Sequence, residues 1–184
     1  MMTKPQEWDN VEAIRGGGKR LTAGGHVCKI LNVGVQMSKA GNEMLVILFD
    51  IAGGEFDGYY MSLYNRNKQS QGENAKYPNG GIYRQVTEGE SMGRFKGVLM
   101  NIEESNPGYK WDWNEQSLKG KVFGGVFREE EYQANDGSIK TRISCIAIRP
   151  VEGIEDIPVP TPKKLTTQAN HHYGGSLADE EVPF

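Results

Sequence analysis

The spacing of apolar residues along the chain predicts a mainly β domain over residues 21–150. β-branched and aromatic residues dominate five segments, and turn-forming residues separate them. The predicted strands span residues 26–36, 44–51, 55–63, 120–132 and 139–149. Gly34 is the expected position of a bulge or bend in the first strand. Gly53-Gly54 is predicted to join the second and third strands into a hairpin, and Asp136-Gly137 to join the last two.

One amphipathic helix is predicted over residues 93–104, between the third and fourth strands. Its apolar residues recur at positions i, i+3, i+4 and i+7, namely Phe95, Val98, Leu99 and Ile102. Three strands, a helix and two strands is the element order of the OB-fold, a five-stranded Greek-key barrel that binds oligonucleotides. The pattern therefore predicts an OB-fold-like barrel. Another small β-barrel or sandwich with the same strand count is the alternative.

Composition divides the chain into a near-neutral body and an acidic tail. Residues 1–20 are a predicted N-terminal segment, and five of the eight prolines lie from Pro150 onward, so residues 151–178 are predicted to be a disordered Pro-rich linker. Residues 1–150 carry 19 Lys/Arg against 18 Asp/Glu, a net charge of +1, whereas residues 151–184 carry 2 against 6, a net charge of -4. Any nucleic-acid site in the body must therefore be a local groove of Lys and Arg.

The sequence lacks a convincing catalytic or metal-binding constellation. His26 is isolated, His171-His172 lies in the predicted linker, and the two cysteines are far apart. The run Gly16-Gly17-Gly18-Lys19 lacks the preceding strand and the following Ser/Thr of a phosphate-binding loop. We therefore expect a protein that is not an enzyme and that uses no cofactor and no metal. No apolar run has membrane-spanning length and no signal-peptide core is evident, so we expect a cytoplasmic protein with no membrane partner.

Aromatic and cationic residues concentrate in and after the predicted third strand, where we expect single-stranded nucleic acid to bind. Aromatic rings stack on unpaired bases and cations follow the phosphates, so such a surface binds without reading sequence. The residues of this segment are Tyr59, Tyr60, Tyr64, Arg66, Lys68, Lys76, Tyr77, Tyr83 and Arg84. Residues 65–85 are predicted to form an extended loop that folds over the bound strand. The predicted site is completed by Trp111, Lys121, Arg128, Lys140 and Arg142. The alternative for each aromatic residue is packing against the barrel.

The last six residues combine acidic and apolar side chains with a free carboxylate. They are Asp179, Glu180, Glu181, Val182, Pro183 and Phe184. Val182 and Phe184 can fill an apolar pocket, while the carboxylates suit a site rimmed by Arg and Lys. This tip resembles the C-terminal tip of bacterial and phage single-stranded DNA-binding proteins, with Val182 where an isoleucine is more usual.

The resemblance implies a protein that coats single-stranded DNA during replication, recombination or repair and recruits replication or recombination proteins through residues 179–184. The long segment 65–85 departs from the compact bacterial pattern and favours a phage version, which would work in the cytoplasm of its bacterial host. A homo-oligomer is compatible with this class. One alternative is an OB-fold adaptor that binds a partner protein with little DNA binding. A metal-dependent nuclease is another, but it would need carboxylates that the sequence does not place together.

Overall fold

The computed structural model describes residues 19–165. This part of the chain is mainly β, with one five-stranded antiparallel sheet in the order β3-β2-β1-β4-β5 and two α-helices. The elements are β1 (Gly24–Met37), β2 (Glu43–Ile51), α1 (Tyr59–Gln71), β3 (Ile82–Val86), α2 (Met92–Ser105), β4 (Val122–Gln133) and β5 (Ile139–Arg149). The edge strands β3 and β5 do not pair with each other, so the sheet is open. The predicted closure into an OB-fold barrel is therefore not confirmed.

The predicted hairpin through Asp136-Gly137 is confirmed as the antiparallel pair β4–β5. The predicted hairpin through Gly53-Gly54 is wrong, because a helix follows β2 and the antiparallel partners of β2 are β1 and β3. Gly137, with a φ of 80°, lies in the turn between β4 and β5, where the predicted Asp-Gly turn requires a left-handed residue. The bulge in β1 lies between Ile30 and Asn32, where the pairing with β2 shifts by one residue. Gly34 instead pairs in register with Val46, so the predicted position of the bulge is wrong.

The segment after β2 forms the helix α1, so the prediction of a third strand at residues 55–63 is wrong. Three glycines with positive φ turn the chain ahead of the helix: Gly53, Gly54 and Gly58. The buried carboxylate of Asp50 then accepts hydrogen bonds from the backbone N–H groups of Tyr60 (2.8 Å) and Met61 (2.9 Å). N–H groups in the first turn of a helix have no partner within the helix. Asp50 therefore caps α1 from the end of β2, and the helix dipole favours its negative charge.

The third strand of the sheet, β3, begins inside the segment 65–85 that was predicted to be an extended loop, and α1 covers the start of that segment. It pairs with β2, so that Tyr83 lies opposite Ile47. The predicted helix between the third and fourth strands is confirmed as α2, and its four predicted apolar residues are all buried. The prediction of a single helix missed α1, which occupies the connection between β2 and β3.

The core of the domain lies between the sheet and the two helices. Phe49 of β2 is its centre, with ring centroids 5.4 Å from Phe123, 6.1 Å from Phe127 and 5.7 Å from Tyr60. Phe123 and Phe127 are fully buried on one face of β4. Edge-to-face contacts of this kind add to the free energy gained by burying the rings.

The packed domain extends beyond Pro150, where the linker was predicted to begin. Ile154 is buried, and a Cβ atom added at Gly25 would lie 1.6 Å from its backbone oxygen. Further along, Lys163 donates its backbone N–H to the Glu129 carbonyl (2.8 Å) and accepts from the Glu131 N–H (2.9 Å). Residues 151–165 therefore belong to the domain. The predicted N-terminal segment up to residue 18, the rest of the linker and the tip at residues 179–184 lie outside the described residues.

Candidate functional site

A groove with a volume of about 1040 Å³ lies between the two edge strands of the open sheet. All of β3 lines it on one side, residues 142–149 of β5 line it on the other, and residues of α2 complete it. We call it the β3–β5 groove. Because the sheet does not close, these two edges are available to form a site.

The β3–β5 groove is strongly cationic. Four arginines line it, one from β3, one from α2 and two from β5: Arg84, Arg94, Arg142 and Arg149. Among the described residues that line it, Glu130 is the one carboxylate. The lining thus carries a net charge of +3, although residues 1–150 together carry +1. Positive charge gathered in a cleft attracts polyanions more strongly than the same charge spread over a surface.

Two tyrosines also line the groove. Tyr83 of β3 is half-buried, and its hydroxyl donates a hydrogen bond to the Gln85 side-chain oxygen (3.3 Å). Burial raises the pKa of Tyr83 to about 12, with a smaller rise from Cys145 and a partial offset by Arg94. The phenol is therefore neutral at physiological pH. Tyr132 of β4 is the second tyrosine, and the Arg142 guanidinium carbon lies 5.4 Å from the centre of its ring.

Cross-strand pairing in the β4–β5 hairpin gathers cations and a ring on one face. Glu130 lies opposite Arg142, and Tyr132 lies opposite Lys140. Because side chains alternate along a strand, Arg128 shares the face of Glu130 and Tyr132. The Glu130 carboxylate accepts a hydrogen bond from Arg128 (2.5 Å) and lies 3.6 Å from the Arg142 guanidinium. We call these five residues the hairpin face.

Two of the tyrosines predicted to stack on bases are instead core residues. Tyr60 is 3% exposed and packs edge-to-face on Phe49. Tyr77 is 5% exposed and donates a hydrogen bond from its hydroxyl to the Phe49 carbonyl (2.9 Å). The prediction that these rings present a face to a nucleic acid is wrong, because both faces of each ring are covered by the domain.

The other predicted residues of the segment 59–76 lie away from the β3–β5 groove. Tyr59 and Tyr64 are half-buried on α1, where Tyr64 packs on Tyr77 at 5.8 Å between ring centroids. The cations of this segment are exposed on α1 and in the chain after it: Arg66, Lys68 and Lys76. None of these five residues is in the groove lining. Of the residues predicted between positions 59 and 84, the groove thus brings together Tyr83 and Arg84.

Trp111 and Lys121 also lie outside the groove lining. Trp111 packs against the core, as the alternative for this residue proposed, and its indole nitrogen is buried without a hydrogen-bond partner among the described residues. Lys121 places its ammonium 4.6 Å from the centre of the Tyr109 ring. The neighbouring Trp113 is 81% exposed and has a positive φ of 64°, which is uncommon for a large residue.

Three charged or aromatic residues of the groove were missed by the sequence analysis: Arg94, Glu130 and Tyr132. Tyr132 and Glu130 had a usable signal, because residues two apart on a strand share a face with the already predicted Arg128. Arg94 had none, because its position in the groove depends on how α2 packs across the sheet. Within residues 19–165, neither Arg94 nor Arg149 forms an ion pair.

Two further findings concern metals and membranes. Residues 19–165 contain no group of three or more His, Cys, Asp or Glu side chains that could hold a metal ion. His26, the histidine in this range, approaches the Thr22 carbonyl (2.9 Å) and packs against Phe56 and Phe127. Neither helix described in this range is long and apolar enough to cross a membrane.

A comparison of the chain with known protein families found no matching family, and a comparison with curated proteins found no match.

Proposed function

We propose that the protein binds single-stranded DNA without sequence preference through the β3–β5 groove, and that residues 179–184 recruit replication or recombination proteins. One observation carries the DNA-binding part of this proposal. Four arginines, one carboxylate and two tyrosines line the same groove in a domain that is otherwise close to neutral. In this role the protein binds and protects DNA in the cytoplasm and catalyses no reaction.

The chemistry of the groove suits a single strand. Guanidinium groups hydrogen-bond phosphate oxygens, often through two N–H groups at once. Aromatic rings stack on unpaired bases, whereas the bases of a duplex already have their faces covered by their neighbours. A groove that offers both kinds of contact favours single-stranded over double-stranded DNA.

The strand order also supports the proposal at the level of the fold. In an OB-fold, five strands form a partly open Greek-key barrel, and its second and third strands contribute to the nucleic-acid surface. The order β3-β2-β1-β4-β5 with a helix between β3 and β4 agrees with an OB-fold that is opened between its third and fifth strands. We propose that the domain is such an opened OB-fold. The four arginines of the groove then lie at the opening between its third and fifth strands.

Binding of labelled oligo-dT, followed by fluorescence anisotropy over a range of salt concentrations, tests the DNA-binding role. We expect tight binding of oligo-dT and weak binding of a duplex of the same length. The double variant Arg94→Ala/Arg142→Ala should bind more weakly, because it removes two phosphate contacts. Each contact contributes about -0.7 to the slope of log affinity against log salt, so the slope should become shallower by about 1.4.

The matched control is Arg66→Ala/Lys68→Ala, which removes two exposed positive charges on α1. It changes the net charge by the same amount, so any effect of charge alone appears equally in both variants. If both double variants lose the same affinity, or if duplex binds as tightly as oligo-dT, the groove is not a single-strand site.

The recruiting role of the tip rests on the sequence of residues 179–184 and is tested separately. Deleting these residues, or changing Phe184→Ala, should abolish capture of partner proteins from a host extract and leave oligo-dT binding in place. Val182→Ile is the matched control, because it restores the residue more usual in such tips and should preserve capture. An unchanged set of captured proteins after the deletion would refute the recruiting role.

An adaptor with little DNA binding is the second candidate, and the exposed Trp113 favours it. A tryptophan that is 81% exposed is typical of a protein-binding hot spot. In that case the intact chain would fail to bind oligo-dT at low salt, and Trp113→Ala would reduce capture of a partner protein. Retained oligo-dT binding in Trp113→Ala, with loss in the groove variant, supports the first candidate.

A further inference from the structure

Glu130 places a negative charge inside the groove that is proposed to bind the phosphates of DNA. It is the one acidic residue among the described lining of the β3–β5 groove, and its side chain is 12% exposed. A negative charge there repels phosphates, so electrostatics alone would favour a neutral residue at this position. Its contacts suggest what the carboxylate contributes.

The contacts of Glu130 are with the arginines of the hairpin face. One carboxylate oxygen accepts a hydrogen bond from Arg128 at 2.5 Å, and the other lies 3.6 Å from the Arg142 guanidinium. Arg142 is held from a second direction by the Tyr132 ring, 5.4 Å away. A guanidinium has five N–H donors in a fixed plane. An arginine that gives one N–H to Glu130 therefore keeps others for a phosphate.

We propose that Glu130 is a positioning residue, which holds Arg142 of the groove lining and Arg128 beside the groove in the orientation that receives the phosphates of a bound strand. The inference rests on the proposed function of the groove. A long arginine side chain loses rotamer freedom when it binds a phosphate, and an arginine that is already held loses less. The benefit of this pre-ordering has to exceed the repulsion between the carboxylate and the strand.

Glu130 is charged under the conditions in which the protein would bind DNA. Burial by itself raises the pKa of the carboxyl group, but the hydrogen bond and the positive charge of Arg128, together with Ser144 and Lys163, outweigh it and lower the pKa. Contacts with Arg128 and Arg142 thus form between full charges, which makes them the stronger class of hydrogen bond.

The two interpretations of Glu130 predict opposite signs for one substitution. If the carboxylate only repels phosphates, Glu130→Gln should tighten binding of oligo-dT. If it positions the arginines, the same change should weaken binding by about tenfold, the size expected for losing one charge-assisted contact. Glu129→Gln is the matched control, because it removes the same charge. Glu129 lies opposite Ile143, on the other face of the hairpin.

A double-mutant cycle separates positioning from a general structural effect. In the Arg128→Ala/Arg142→Ala background, Glu130→Gln should change oligo-dT binding by less than about twofold, because the residues it positions are gone. NMR relaxation of the Arg128 and Arg142 side-chain N–H groups supplies a readout that needs no DNA. We expect both groups to become more mobile in Glu130→Gln and to be unchanged in Glu129→Gln. The measurements use the full chain, and thermal unfolding checks that each variant is folded.

The outcomes distinguish this inference from the proposed function. Tighter or unchanged binding by Glu130→Gln, while the groove variant Arg94→Ala/Arg142→Ala still binds weakly, would overturn the positioning role and leave the DNA-binding role in place. An equal loss in the arginine-deleted background would also overturn it. If the unsubstituted protein does not bind oligo-dT at all, both the function and this role of Glu130 are wrong.

Discussion

Helix α1 and the β4–β5 hairpin contain the same kinds of residue but present different surfaces. Each contains at least one tyrosine with basic residues within a few positions of it in sequence or across the hairpin. In α1 the Tyr60 ring is buried in the core, while Arg66 and Lys68 are exposed. In the hairpin, Arg142 lies over the ring of Tyr132. Only the hairpin combines a ring and a cation in one accessible site.

The period of the secondary structure accounts for this difference. On a helix, residues four apart share a face, so Tyr60 and Tyr64 both turn towards the domain. Arg66 and Lys68 follow Tyr64 by two and four positions but lie in the last turns of α1, where the chain is exposed. In an antiparallel hairpin, a residue shares its face with the residue directly opposite and with the diagonal neighbour two positions along, as Tyr132 does with Lys140 and Arg142. A list of nearby residue types therefore does not predict a shared surface until the period is known.

The largest expected effect is a loss of stability, and it tests whether Tyr60 of α1 belongs to the core. Tyr60→Ala should lower the free energy of unfolding by about 3 to 5 kcal/mol, as for other large aromatic side chains removed from a core. Oligo-dT affinity of the protein that remains folded should be unchanged. Chemical denaturation and anisotropy on the same samples measure both quantities, and Met61→Ala, at a position that is 37% exposed, is the control. A loss of affinity without a loss of stability would show that Tyr60 belongs to the binding surface.

The next effect tests whether α1 depends on the sheet for its formation. Asp50→Ala removes the carboxylate that accepts the N–H groups of Tyr60 and Met61, and it should cost about 2 kcal/mol of stability. Amide hydrogen exchange should show the first turn of α1 opening much faster, with β4 and β5 unaffected. Asp57→Ala removes an exposed carboxylate that accepts the Gly53 N–H (2.7 Å) and should have a smaller effect. Equal costs for the two variants would contradict the assigned role of Asp50.

A smaller effect, on oligo-dT affinity, tests whether Tyr132 of the hairpin stacks on a base. Tyr132→Ala should weaken oligo-dT binding by about 1 to 2 kcal/mol if its ring stacks on a base, with little change in the melting temperature. Tyr132→Phe keeps the ring and should bind normally, so this pair isolates stacking from the hydroxyl group. Normal binding by Tyr132→Ala would remove the ring from the site and leave the arginines as its basis.

The smallest effect is expected from the exposed cations of α1. Substituting either Arg66 or Lys68 by Ala should change stability by no more than about 0.5 kcal/mol, as is usual at exposed positions without specific contacts. The change in oligo-dT affinity should be equally small and should disappear at higher salt, because distant charges are screened. A large, salt-resistant loss would place the bound strand over α1.

The sequence predicts four of the five strands and α2, because each has a clear period and a recognisable turn at its end. The apolar stripe of α2 repeats every three to four residues over a full 14-residue helix. The predicted third strand failed because Tyr59 and Tyr60 are strong strand formers, whereas the cap that selects a helix comes from Asp50, nine and ten residues earlier. β3 was missed because its five residues alternate weakly and follow a glycine-rich stretch.

The candidate site could be predicted in part. The hairpin cations Arg128, Lys140 and Arg142 lie in a segment whose strands and turn were predicted correctly, so their shared face follows from the pairing. The groove itself could not be predicted, because it exists only where β3 and β5 fail to meet and where α2 brings Arg94 between them. Such long-range packing leaves no local pattern in the sequence.

The absence of a side chain at Gly25, which lets Ile154 pack against it, also affects how β1 behaves while the chain is being synthesised. Gly24 pairs with Phe127, 103 residues later, and at about 5 to 20 residues per second this partner follows after roughly 5 to 20 seconds. During that interval the start of β1 has an open edge that can pair with another nascent chain. Gly24-Gly25 is a poor strand former. Gly25, which admits Ile154 in the finished domain, and its neighbour Gly24 therefore also make the unpaired edge a weak template for aggregation.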